Sequence, residues 1–112
     1  MTIEDIKKEL GLKCLTPNLS LAREISGVYI GDLLSDVMAN AKGGYVWITV
    51  QVHPNIVAVA SLKDICAIIL VSGREPESDT IAKASSENIA VLSSNLLGFE
   101  LAGRLYELGL RG

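Results

Sequence analysis

Few residues in this 112-residue chain have the chemistry of a catalyst. His53 is the only histidine, set in the stretch ITVQVHPNIVAVA. As a general base it would need a carboxylate to orient it and a substrate within hydrogen-bond reach. Asp32 and Asp36 are the carboxylates that the fold could bring near it, but no spacing demands the pairing. One histidine and two distant cysteines, Cys14 and Cys66, do not make up a metal site, which draws two or more such ligands at close spacing. Neither a GxSxG elbow nor the dinucleotide fingerprint GxGxxG is present. Gly98 and Gly103 have the glycine spacing of a phosphate-binding loop. The lysine and hydroxyl residue such a loop needs are missing, and the glycines fall inside a leucine-striped helix. Close approach of that helix to another element or another chain explains them better. Glu100 and Arg104 have the i,i+4 spacing of a solvated ion pair on the same helix.

The elements that would position these residues follow from periodicity. Apolar residues make up 49% of the chain and aromatic ones 4%, so Val, Ile, Leu and Ala must build the core. That composition suits a parallel sheet buried on both faces. Thr2 and Asp5 open a first helix with Ile3, Ile6 and Leu10 on one face, and Gly11 closes it. LKCL fits a short strand, and TPNLSLARE is a turn-rich connection. From about residue 25 the order is βαβαβαβα. ISGVYI, YVWITVQV, AIILV and IAVL are the strands. The helices are LLSDVMANA with Asp32 as its cap, the segment after Pro54, SDTIAKASSE closed by Asn88, and SNLLGFELAGRLYEL closed by Gly109. Leu33, Leu34, Val37, Met38 and Ala41 form the buried stripe of the first of these. Ile56, Val57, Ala60 and Leu62 do so for the second, and Leu97, Leu101, Leu105 and Leu108 for the last. The expected fold is therefore α/β: a single three-layer-like domain with a mainly parallel sheet and crossover helices.

A parallel sheet gathers its strand ends on one rim, where ligands of open α/β sheets bind. That rim would carry Asp32, Gln51, His53, Asn55, Ser72, Gly73 and Arg74, followed by Ser93, Ser94 and Asn95. Two readings stand. The rim is a pocket for an anionic metabolite or nucleotide, with Arg74 as a two-pronged donor and helix N-termini favouring negative charge. Alternatively, Asp32, His53, Ser94 and Asn95 cap helices and residues 72–75 form a turn.

Net charge is −3 and the ten Lys and Arg are scattered, which argues against a nucleic-acid partner. No apolar run approaches membrane-spanning length, and MTIEDIKKELG has the pattern of an amphipathic helix rather than a signal peptide. Two cysteines in apolar surroundings point to reduced thiols and a cytoplasmic setting. The NLS sequon at Asn18 has no meaning there.

The run GDLLSDVMANAKGGYVWITVQVHPNIVAVASLKDICAIIL, followed by GREP, VLSS and FELAGRLYELG, resembles the DRTGG domain family over nearly the whole chain. The counterparts of the family's name-giving residues are Ala22-Arg23 and Val71-Ser72-Gly73, of which Arg23 and Gly73 are retained. The resemblance implies one domain over 1–112, similar also to the N-terminal domain of HPr kinase/phosphorylase. Such domains are attached to CBS pairs in regulated pyrophosphatases, and elsewhere to phosphotransacetylases and to cobyrinic-acid-synthase-like domains, where they serve regulation and subunit assembly rather than catalysis. The expectation is a non-catalytic regulatory module without cofactor, forming a homodimer and acting on a separate regulatory or enzyme partner.

Overall fold

The β-branched runs pair into one sheet. In a computed structural model describing all of residues 1–112, the chain runs α1 (Ile3–Leu10), β1 (Lys13–Cys14), β2 (Gly27–Ile30), α2 (Leu34–Asn40) and β3 (Tyr45–Thr49). It continues through α3 (Asn55–Leu62), β4 (Ala67–Leu70), α4 (Ser78–Ser86), β5 (Ala90–Ser93) and α5 (Gly98–Glu107). The strand order is β1-β5-β4-β3-β2. The four strands from β2 to β5 are parallel, with Ile30 beside Ile48, Ile48 beside Ile69 and Ile69 beside Leu92. Only β1 runs the other way, with Lys13 opposite Ser93. The α/β class and mainly parallel sheet are thus as expected.

Each of the parallel strands sits beside the next one in sequence, so the crossovers all step in one direction. With a constant crossover hand, their helices fall on one face. The packing agrees. Val37 of α2, Ile56, Val57 and Ala60 of α3 and Ala84 of α4 share a buried cluster with Trp47 and Ile68. The opposite cluster joins Ile3 and Ile6 of α1 and Leu101 and Leu105 of α5 to Val46, Ile48, Ile69 and Leu92. Alternate residues of β3 feed opposite clusters, as the two-residue period of a strand requires.

Helix α1 begins with a reciprocal cap. Thr2 N donates to Asp5 Oδ2 at 2.8 Å and Asp5 N donates to Thr2 Oγ1 at 3.2 Å. Gly11 ends it in the left-handed conformation. Asn88 and Gly109 close α4 and α5 with positive φ, as the sequence suggests.

Several boundaries and stripes differ from the sequence reading. α5 starts only at Gly98, because residues 94–96 are tied into the turn after β4. Leu33, Met38, Leu62 and Leu97 are exposed rather than buried, since each lies at an end or flank of its helix away from the sheet. Glu100 and Arg104 make no ion pair; the chain's ion pairs are Met1 N-terminus–Glu24 and Arg23–Asp64. Gly98 does mark a close approach, since a Cβ there would lie 3.2 Å from Ile30 Cδ1. Gly103 does not, with open space at its Cα. No helix is long and apolar enough to cross a membrane.

Candidate functional site

The strand-end rim is present, but its residues fall into separate groups. Because β2 and β3 are parallel neighbours, the residues just past them meet. Asp32 Oδ1 accepts from Thr49 Oγ1 at 2.7 Å and from Val50 N at 2.9 Å. Gln51 Nε2 donates to the Asp32 carbonyl at 3.0 Å. Asp32 therefore clamps the end of β2 to the end of β3. It does not cap α2, whose first turn has no side-chain cap.

His53 is exposed, and its Nδ1 accepts from Asn55 N at 3.0 Å. The imidazole thus holds the corner into α3. Asp32 is committed to β3, and Asp36 accepts from Tyr29 Oη and from Asn40 Nδ2. Neither carboxylate orients His53. No three His, Cys, Asp or Glu side chains converge as a metal would require.

The turn after β4 has two successive left-handed residues, Ser72 at φ 60° and Gly73 at φ 66°. Their N–H groups donate to the Leu96 and Ser94 carbonyls, locking this turn to the segment after β5. The turn divides the rim into two cavities. One of about 100 Å³ is lined by Ile30, Asp32, Thr49, Val71, Ser72 and Gly98. The other, of about 250 Å³, is lined by Gly11, Lys13, Leu15, Gly73, Arg74, Glu75 and Ser93–Asn95. Gln51, His53 and Asn55 line neither. Lys13 is the residue that sequence reasoning missed. It arrives through the antiparallel pairing of a two-residue strand, which no motif announces.

A larger concavity of about 480 Å³ lies away from the rim, between α1 and residues 17–22. Its one cation and one acid, Lys7 and Glu4, offset each other, and it gathers no cluster of donors.

Arg23 and Gly73, the positions on which the sequence resemblance rests, do not meet. Gly73 lies beyond the carboxyl end of β4, whereas Arg23 sits at the opposite end. There its Nη2 donates to the Asp64 carbonyl at 3.1 Å and to Asp64 Oδ2 at 2.8 Å. Beneath this contact burial pushes the Cys66 thiol up to about 11. Cys14 is only half-buried. Iodoacetamide at about pH 8 is expected to alkylate Cys14 at least about tenfold faster than Cys66 in the folded protein, and both alike in denaturant, as peptide mass spectrometry would record. The same shift predicts that stability falls as pH rises between 9 and about 11. In that interval the unfolded chain has lost a proton that the folded one retains.

Neither a protein-family model nor a curated protein sequence matches the chain significantly. Among solved structures it is similar to the CBS and DRTGG domains of the regulatory region of the Clostridium perfringens pyrophosphatase, determined with the activator diadenosine tetraphosphate. The TM-score is 0.67 at 15% identity, over 91% of this chain and 44% of that one. The chain thus spans less than half the length of that structure, and at this identity the likeness is one of fold.

Proposed function

We propose that residues 1–112 form a single three-layer module of the DRTGG kind, acting in the cytoplasm as a non-catalytic homodimer that regulates or assembles a separate partner protein. The observation that carries this reading is an exposed aromatic face on α5, roofed in part only by Arg111, whose guanidinium lies 3.7 Å from the centre of the Tyr106 ring. Phe99 is 85% exposed and Tyr106 59%, and they lie seven residues apart on one side of the helix, with Gly103 between them. Ile30, at the outer end of edge strand β2, is 50% exposed and continues this face. Ile30, Ala102, Leu105, Tyr106 and Leu110 line a groove of about 140 Å³. Large aromatics around a bare glycine permit close helix approach, and Phe and Tyr are enriched at interface cores. A stable interface takes roughly 800 Å² per partner, a modest share of the chain's 5719 Å² surface. A twofold pairing of α5 and β2 with a second copy would supply it. The fold likeness to a pyrophosphatase regulatory region supports the regulatory role.

Light scattering after gel filtration tests this. The expected mass at tens of micromolar is twice the 11.9 kDa of the chain. Phe99→Glu with Tyr106→Glu should raise the dimer dissociation constant at least about 100-fold, since truncated hot spots each cost about 2 kcal/mol or more. A wild-type monomer at those concentrations would remove the proposal.

A second reading, binding of an anionic metabolite or nucleotide at the strand ends, is favoured by one observation. Lys13 and Arg74 line the same cavity, and neither is engaged in an ion pair.

A further inference from the structure

We infer that the cavity between β1, β4 and β5 is a binding site for a single phosphate group, carried either as inorganic phosphate or as a phosphomonoester. This rests on the second reading above and moves its site away from Asp32 and His53 to a corner whose key cation, Lys13, lies outside the predicted rim.

The walls are fixed before any ligand arrives. Lys13 is held opposite Ser93 by strand pairing, and Ser93 lies beside Leu70 at the end of β4. The turn that carries Arg74 is bonded to the segment after β5 through Ser72 N–Leu96 O at 2.8 Å and Gly73 N–Ser94 O at 3.0 Å. Gly73 keeps the wall open, because a Cβ there would stand 3.2 Å from Asn95 Oδ1. Donors outnumber acceptors. Lys13 and Arg74 have no carboxylate partner. Ser94 Oγ already accepts from Leu96 N at 3.0 Å, which leaves its hydroxyl proton to donate. Ser93 adds a second hydroxyl and Asn95 an amide.

The lining also sets the ligand class. Only one of the nine lining residues is hydrophobic, so the occupant is polar. A guanidinium beside an ammonium suits the tetrahedral oxygens of phosphate. Glu75 lies in the same cavity and leaves one net positive charge, which suits one phosphate and disfavours a polyphosphate. As an acceptor in the lining, its carboxylate suits a hydroxyl of an esterified group better than a second phosphate. At about 250 Å³ the cavity is smaller than the usual range for drug-sized ligands, roughly 300–1,000 Å³.

Amide chemical-shift titrations with inorganic phosphate and with adenosine monophosphate, at constant ionic strength, test the assignment. Saturable shifts are expected at Gly11, Gly73 and Ser93–Asn95. The affinity should fall about tenfold or more in Lys13→Met with Arg74→Gln, both exposed positions. Tighter binding of the nucleotide would identify an ester as the ligand, and equal binding the free ion; either supports the site. Saturable shifts centred on Gln51–Asn55 would overturn this site and leave the anion-binding reading standing. Shifts that stay linear with both probes would overturn both. The wild-type shift map decides between these outcomes without the variants.

Discussion

Trp47→Ala is expected to lower the unfolding free energy by about 3–5 kcal/mol, a large part of the 5–15 kcal/mol typical of a small domain. Trp47 is fully buried in β3, flanked by Tyr29 of β2 and Ile68 of β4. Its removal leaves a cavity under α2 and α3, where the neighbouring side chains cannot collapse without moving the sheet. It also orphans the Gly31 carbonyl, which accepts from Trp47 Nε1 at 2.8 Å. Trp47→Phe separates the two effects. It keeps most of the volume and loses the hydrogen bond, for an expected loss of about 1–2 kcal/mol. Urea unfolding reads both as a lower midpoint at unchanged slope. A loss below about 1 kcal/mol for the alanine variant would show that the indole does not anchor this corner.

Asp32→Ala is expected to cost about 2–4 kcal/mol, and Asp32→Asn distinctly less. The alanine variant strips the partner from Thr49 Oγ1, in a residue only 2% exposed, and from Val50 N. Each hydrogen bond to a charged acceptor contributes about 1.5–3 kcal/mol, and the hydroxyl left behind is buried. Asparagine keeps an acceptor oxygen at the same distance along the side chain. Thermal or urea unfolding of the two variants side by side measures the difference. A ligand-contacting aspartate held only loosely by the fold would leave stability unchanged in both, and that result would restore Asp32 to the binding rim.

These outcomes turn on residues whose type was legible in the sequence but whose role was not. The strands were readable, because runs such as AIILV are too short and too β-branched for a helix, and each recurs after a helical stretch. The caps Thr2, Gly11, Asn88 and Gly109 were readable because their chemistry is local. The rim was legible as a set and not as a site. Its partition depends on which strands are neighbours, and that is a property of the whole sheet. Asp32 looks like a helix cap when only the following residues are considered. Its true partners lie 17 and 18 residues away, across a strand pair. His53 was readable as a corner residue because its partner, Asn55 N, is two residues on. Lys13 could not be placed at all without knowing that β1 adds to the far edge of the sheet, beside β5. The exposed face of α5 was hidden for a different reason. Leucine spacing marks the side that packs inward, but Phe99 and Tyr106 on the other side carry no label for what covers them.

The pairing of β1 with β5 also orders events in time. Strands β2 to β5 can each dock on the one just made, so that part of the sheet grows by short loop closures. β1 has no neighbour until β5 exists. Its anchor, Thr16 Oγ1 accepting from Val91 N, joins residues 75 apart, the kind of long closure that folding kinetics leave until late. Lys13 and Ser93 are therefore expected to come face to face late in chain closure. An anion gripping both would act as a clasp on the seam between first strand and last, slowing its opening while leaving the central strands almost untouched. Amide exchange at Leu15 and Val91 is where that clasp would register.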